Sequence, residues 1–339
     1  MTPVRPVGEW YANWLLDGKS RETICTPAGP SGEFAKIEIP FVVVQNVGYL
    51  NLHQFGSYDL FENAHTPKDR KWLILGPPEY ELPVYSWQIE ALAFFDHILR
   101  ASKNGYGEQP PVRYWLSGEE AFATASSFPA TDSVRVRFYP TSRGDDRLSH
   151  ELAIEPPSGG QNRWAAVPIN APLVGGFDEV ANQKLSYTMI AEKDIEFAGP
   201  VTAQLRFSCN EIDSHVVARV GRVDSRGTYH LLSMGTLSPA RRRVDGVRST
   251  ACEVAIDTAT REPLTPGEPV LLRFSLTPAP ARIRRGDKLV FDVASRTDLL
   301  RSGPSHGFVH FDLPVPPYFS RNTLHCGPET FLELSRVSA

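Results

Sequence analysis

The chain has 339 residues and a mass of 37.7 kDa, with 41% hydrophobic and 22% charged residues, a balance that excludes wholesale disorder. Its 35 basic and 39 acidic residues leave a formal charge of −4, which argues against a dedicated nucleic-acid binder. Twenty-nine prolines against 25 glycines predict many turns and few long helices.

No stretch reaches the roughly 18 consecutive apolar residues that a membrane span requires. The first ten residues, MTPVRPVGEW, carry no apolar core of signal-peptide type, so a cytoplasmic protein without membrane association is expected. The four cysteines, Cys25, Cys209, Cys252 and Cys326, are far apart and form no CxxC pair. They fit neither a zinc ribbon nor a disulfide scaffold, and reduced buried thiols are expected.

Up to about residue 110 the pattern alternates strand and helix. Phe41 to Val44 is a short, wholly apolar run, as in a parallel strand buried on both faces. A helical stretch follows from about Tyr58 to Asn63, then a second apolar run, Trp72 to Leu75, ended by Gly76-Pro77-Pro78. The strongest helix is predicted over Ser86 to Ala101, with Ser86 as N-cap. Trp87, Leu92, Phe95 and Leu99, joined by Ile89 and Ile98, are its expected core-facing residues. After Pro110-Pro111 the period changes from 3.6 to 2: Val134/Val136/Phe138, Val201/Ala203/Leu205/Phe207, Val270/Leu272/Phe274/Leu276 and Leu289/Phe291/Val293 alternate with other residues. Turn signals such as Asp224-Ser225-Arg226-Gly227 and Arg285-Gly286-Asp287 separate these runs, which predicts a two-sheet sandwich or jelly roll.

Four stretches carry a family resemblance. They are Ile39–Val44 through Leu52–Gly56, Lys71–Pro77, the run Phe94–Leu99 with Asn104-Gly105 and Pro110–Arg113, and Gly199–Val201 through Asp213 and Arg219-Val220 with Arg285–Leu289. The chain resembles the X-Pro dipeptidyl-peptidase and cocaine-esterase family of serine hydrolases, in which an α/β-hydrolase domain precedes a C-terminal jelly roll. The resemblance implies a truncated α/β-hydrolase remnant over residues 1–110 and a jelly-roll β-sandwich over residues 111–339. It also implies that the strands and G-x-S-x-G elbow that bear the family's nucleophile are missing. The loop after Phe41–Val44, where the family keeps its aspartate, reads Asn46-Val47-Gly48-Tyr49-Leu50-Asn51 and has no acid. The loop where the family keeps its histidine reads Pro78-Glu79-Tyr80-Glu81. A triad needs a base for the serine proton and an acid to orient that base, and neither is in place.

Other chemistry is sparse. Gly303-Pro304-Ser305-His306-Gly307 matches the elbow pattern, but Phe308–Phe311 after it reads as a strand rather than a helix, so Ser305 is expected in a polar loop. Asp96-His97 is expected to pack on its helix. Asp213 and His215 could bind a metal only if further ligands converged, and Arg241-Arg242-Arg243 reads as a solvated turn. No nucleotide fingerprint occurs, so neither cofactor nor metal is expected.

Ligands of α/β folds bind at the ends of sheet strands, which singles out the loops 46–53 and 76–85. His53, Tyr49, Tyr80 and Glu79 are the candidate catalytic groups there; Asn46, Asn51, Tyr85 and Trp87 are the candidate substrate-binding ones. A structural loop histidine is the plainer alternative for His53. The leading expectation is a pseudo-hydrolase that performs a cyclisation, isomerisation or elimination on a small organic molecule. A non-catalytic binding or assembly protein is the next reading, and one half of a split hydrolase the last. A two-strand remnant would expose apolar surface and strand edges, so it must pack on the jelly roll, a partner or a second copy. A homodimer is expected, with Trp10, Tyr11, Trp14, Trp87 and Phe41–Val44 near its interface.

Overall fold

The computed structural model describes residues 34–46, 54–77, 84–142, 149–168, 183–296, 316 and 318–337, and of residues 84–87 and 149 the backbone alone. Phe41–Asn46 (β1), Lys71–Gly76 (β2), Val112–Leu116 (β3) and Ala121–Ala125 (β4) form a four-stranded sheet in that order. β1–β2 and β2–β3 are parallel, and β4 is antiparallel to β3. Parallel neighbours need a crossover, and the helices Gln54–Asn63 (α1) and Val84–Arg100 (α2) supply it. The change of period at Pro110-Pro111 therefore marks the start of β3, and residues 112–125 complete the smaller sheet.

Three expectations for this region need correction. β1 is not buried on both faces: it is the edge strand, only Val43 is buried, and Val44 is 38% exposed. The strand buried throughout is β2, which has neighbours on both sides. α2 begins at Val84, so Ser86 lies inside its first turn and is not the cap. Its expected core stripe is the outer one: Ile89, Leu92, Phe95 and Leu99 are 52–75% exposed. Phe94 turns inward instead, with Ala93 and Ile98 packed beside the buried rings of Trp72 and Tyr106. The helix is apolar on both sides, so its periodicity does not say which side meets the sheet.

The period-2 runs form strands as predicted, in one twelve-stranded sheet whose two halves pack on each other. One contains Ser133–Pro140 (β5), Gln161–Ala166 (β7), Ile195–Cys209 (β9), Val270–Leu276 (β12), Ala281–Ile283 (β13), Ser320–His325 (β15) and Phe331–Val337 (β16). The other contains Ser149–Ala153 (β6), Lys184–Ile190 (β8), Val216–Val223 (β10), Tyr229–Leu237 (β11) and Lys288–Ala294 (β14). A short pairing of β5 with β6 joins them. Between the sheets, Trp164, Leu205, Phe207, Leu272 and Phe274 from one side pack with Leu185, Tyr187, Val220, Phe291 and Val293 from the other. Each of these side chains stabilises the fold by about 1.5–3 kcal/mol through removal from water. Cys209, Cys252 and Cys326 are free and buried, as expected.

The smaller sheet seals against the sandwich rather than standing apart. Tyr58 of α1 stacks on Phe128 at 5.2 Å, in an apolar cluster with Leu75, Tyr114, Ala198 and Cys252. Ser117 bridges Ala281, and its carbonyl accepts the Arg282 N–H at 2.7 Å. The Arg282 guanidinium then binds Glu196 at 2.7 Å and Glu119 at 3.3 Å, tying both sheets at one point. Gly118 turns the chain beside this junction with φ +97°, and a Cβ there would lie 2.3 Å from the Arg282 carbonyl oxygen. Gly118→Ala should therefore lower the unfolding free energy by more than about 1 kcal/mol, read as a shifted urea midpoint at unchanged slope.

Candidate ligand site at the strand ends

β1 and β2 end in register, Asn46 opposite Gly76, which puts the mouth of the parallel pair at these two residues. Of the predicted site residues, Tyr49, Asn51, His53, Glu79 and Tyr80 lie outside the described residues. Tyr85 and Trp87 lie in the first turn of α2, where the backbone alone is described. Asn46, expected in the loop after the strand, is instead the last residue of β1.

Around Asn46 the structure assembles polar groups that sequence reasoning missed. Gln54 and Tyr58, one turn apart on α1, are buried, and the Tyr58 hydroxyl donates to Gln54 Oε1 at 3.1 Å. Gln54 Nε2 reaches the Asn46 carbonyl at 3.4 Å, and Gln45 Nε2 reaches the same oxygen at 2.8 Å. Ser57 Oγ donates to Gln45 Oε1 at 3.1 Å. Burial, and then Cys252, hold the Tyr58 phenol well above its ordinary pKa, so it remains a donor. One group is left over: Asn46 Nδ2 is buried with no hydrogen-bond partner among the described residues. An amide donor stripped of water and unpaired is a cost that a ligand acceptor would remove. The available signal was Gln45-Asn46 directly after four apolar residues, and the i, i+4 spacing of Gln54 and Tyr58.

The remaining candidates are structural. Asp213 accepts hydrogen bonds from the Ser214 N–H at 2.9 Å, the Ser238 hydroxyl at 3.1 Å and the Ala240 N–H at 3.0 Å, which uses its oxygens on the loop. Next to it, burial pushes His215 down to about 4 against the opposing pull of Asp213, and its Nδ1 is buried and unpartnered. No cluster of metal-ligating side chains occurs among the described residues. Asp96 pairs with Arg100 at 3.2 Å, and the His97 ring packs edge-on against Trp72. The arginine run is not a solvated turn: Arg241 donates to the Thr258 carbonyl, and Arg242 to those of Pro239 and Glu262, which clamps the 239–262 loop. Ser305 lies outside the described residues.

A serine–histidine contact unseen in the sequence joins β9 to β15: Ser208 Oγ lies 2.9 Å from His325 Nε2. It lacks the rest of a nucleophilic site. Ser208 is 5% exposed within a regular strand, and the group behind His325 Nδ1 is the amide of Gln161 at 3.4 Å, not a carboxylate.

Residues 104–329 match the sequence family described as the X-Pro dipeptidyl-peptidase C-terminal non-catalytic domain, and the chain belongs to that family. It is similar in fold to a CocE/NonD family hydrolase from Staphylococcus aureus, with TM-score 0.74 and 17% identity, over 90% of this chain and 55% of that one. An aminopeptidase from a marine sediment archaeon, Thaumarchaeota archaeon, gives TM-score 0.73 at 15% identity, over 99% of this chain and 61% of that one. A Mycobacterium bovis protein whose name assigns it to the serine esterases is 24% identical over 228 residues, 62% of this chain. The match covers 36% of that relative's length, so the chain spans about a third of it. These relationships place the chain in a hydrolase-related group. Among the described residues, no helix is long and apolar enough to cross a membrane.

Two variants of the polar cluster should behave oppositely. Asn46→Ala removes an unpaired buried amide and should leave the melting temperature unchanged or higher. Gln54→Ala orphans the Tyr58 hydroxyl and should cost about 1–3 kcal/mol, measured by urea denaturation. His215 makes stability depend on pH. Its folded pKa of about 4 lies below the unfolded value near 6.5, so the unfolded chain binds the extra proton between them. The stabilisation is complete above pH 6.5 and is lost as pH falls toward 4. His215→Gln should flatten this part of the pH–stability curve by on the order of 1–3 kcal/mol, read from urea midpoints at pH 7 and pH 4.5.

Proposed function

We propose that this chain is a hydrolase-family protein that works without a serine nucleophile and takes a small organic molecule at the carboxyl ends of β1 and β2. Residues 1–110 are read as the remnant of an α/β-hydrolase sheet, extended by β3 and β4, a reading supported by the parallel β1-α1-β2-α2-β3 succession. The observation that carries the site is the unpaired, buried Nδ2 of Asn46 inside the Gln45–Gln54–Tyr58 cluster, where parallel strands open toward a ligand. Fixed amide donors with protonated phenols can hold a carbonyl or enolate oxygen, which suits cyclisation, isomerisation or elimination better than hydrolysis. His53, Tyr49, Tyr80 and Glu79 are the proposed acid–base groups, and Asn51, Tyr85 and Trp87 further contacts.

A second reading, assembly without catalysis, is favoured by the exposed apolar side of α2 and by the edge of β1, which no described strand covers and a second copy of the chain would. Both readings exclude serine chemistry. A fluorophosphonate probe should label no stoichiometric serine, and activated esters should not be turned over. A labelled serine whose blocking abolishes an esterase activity would overturn the proposal. A screen of small carbonyl compounds should find ligands that raise the melting temperature of the wild type and not of Asn46→Ala. A screen without such ligands, together with a dimer in sedimentation, would leave assembly as the function.

A further inference from the structure

The outer face of the larger sheet, opposite the sandwich core, concentrates positive charge in a chain whose formal charge is −4. Cross-strand partners in an antiparallel pair share a face, so register fixes its membership. Leu205, Phe207, Leu272 and Leu324 point into the core, and their neighbours point out. In this way Arg135 and Arg137 of β5, Arg163 of β7, Arg206 of β9, Arg273 of β12 and Arg321 of β15 come to lie exposed on one face of five strands.

Among the described residues, two carboxylates pair with Arg135, Arg137 and Arg206. Glu333 takes Arg137 at 2.9 Å and Arg135 at 3.8 Å, and Glu329 takes Arg206 at 3.0 Å. Among the described residues Arg163 and Arg273 form no ion pair; the Arg163 guanidinium donates to the Gln161 amide at 3.4 Å. His325, at the centre, registers the field. Burial first, then the guanidiniums of Arg206 and Arg163, lower its pKa. The face also provides Thr323 and Gln161 as neutral hydrogen-bonding groups, with Ser208 buried beneath His325.

We propose that this arginine face is a docking surface for an acidic polypeptide segment, one that aligns several Asp or Glu side chains across β7, β15, β9 and β12. Charge complementarity is the main argument, since guanidiniums bind carboxylates as two-pronged forks. The rings that β16 and β5 bring to this face pack on one another: Phe331 is buried beneath the Arg137 guanidinium at 4.2 Å, and Tyr139 meets it edge-on at 6.2 Å. The surface is distinct from the strand-end site on β1 and β2 and does not depend on the reading of that site.

The test is fluorescence anisotropy of a labelled decaglutamate peptide with the full-length protein, in 25, 150 and 400 mM NaCl. Binding should be saturable at 25 mM and weaken at least tenfold by 400 mM, because screening shortens the reach of exposed charges. The double variant Arg163→Glu/Arg273→Glu should bind at least tenfold more weakly, with an unchanged melting curve as the fold control. Arg226→Glu, on the β10–β11 turn, should bind as the wild type does. No binding at 25 mM NaCl, or equal binding by the double variant, would overturn the proposal. So would binding of a sulfated oligosaccharide or of anionic phosphatidylserine vesicles without binding of decaglutamate.

Discussion

Strand β9 sets the constraint around which the rest is arranged. It runs for fifteen residues through the middle of its sheet, and every backbone N–H and C=O along it must find a partner out of water. No single neighbour is long enough. One edge is therefore covered in two pieces by β15 and β16, which lie end to end with a short loop between them, and the other edge by β12 and β13. The end of β9 served by β13 is where the smaller sheet joins the sandwich. The residues that complete this strand thus also fix the place of the remnant and of the site at its strand ends.

Beside its apolar cluster the joint has a polar corner. Arg222 and Asp287 form an ion pair at 3.0 Å with both side chains nearly inaccessible, beside Gly118 and close to the Arg282 carbonyl. A buried pair of this kind adds little over an apolar replacement, yet loss of one member costs about 3–5 kcal/mol because the other charge is stranded. Both members belong to the sandwich, Arg222 on β10 and Asp287 on the turn before β14, so the pair holds the wall against which Gly118 lies.

Much of this was legible in the sequence where local pattern and burial coincide. The alternation in 201–207 or 289–293 fixes both the strand and its inward face, because a sheet with one wet side admits no other register. The pattern fails where two environments look alike locally. Phe41–Val44 and Trp72–Leu75 are equally apolar, yet one is an edge and the other a centre, a difference set by partners far along the chain. α2 has apolar residues on two sides and only the docked sheet chooses between them. At the candidate site, Asn46 was visible because it ends an apolar run. Gln54 and Tyr58 were not, because their roles depend on the carbonyl of a strand eight residues back and on a ring, Phe128, from beyond β4. The contact between Ser208 and His325 spans 117 positions, and no local signal encodes it.

The three buried cysteines make the molecule its own reporter of motion. Burial pushes the thiols of Cys252 and Cys326 up to about 12 and raises that of Cys209, so almost none is thiolate at neutral pH. An alkylating reagent reaches them only when the surrounding packing opens, and the rate of modification becomes a clock for that opening. The three positions time different events. Cys252 lies in the apolar cluster between α1 and the sandwich, whereas Cys209 and Cys326 belong to β9 and to the end of β15. With Cys25 replaced by serine, the order in which the three are consumed ranks the lifetimes of the seam and the sandwich within one molecule, without any added label.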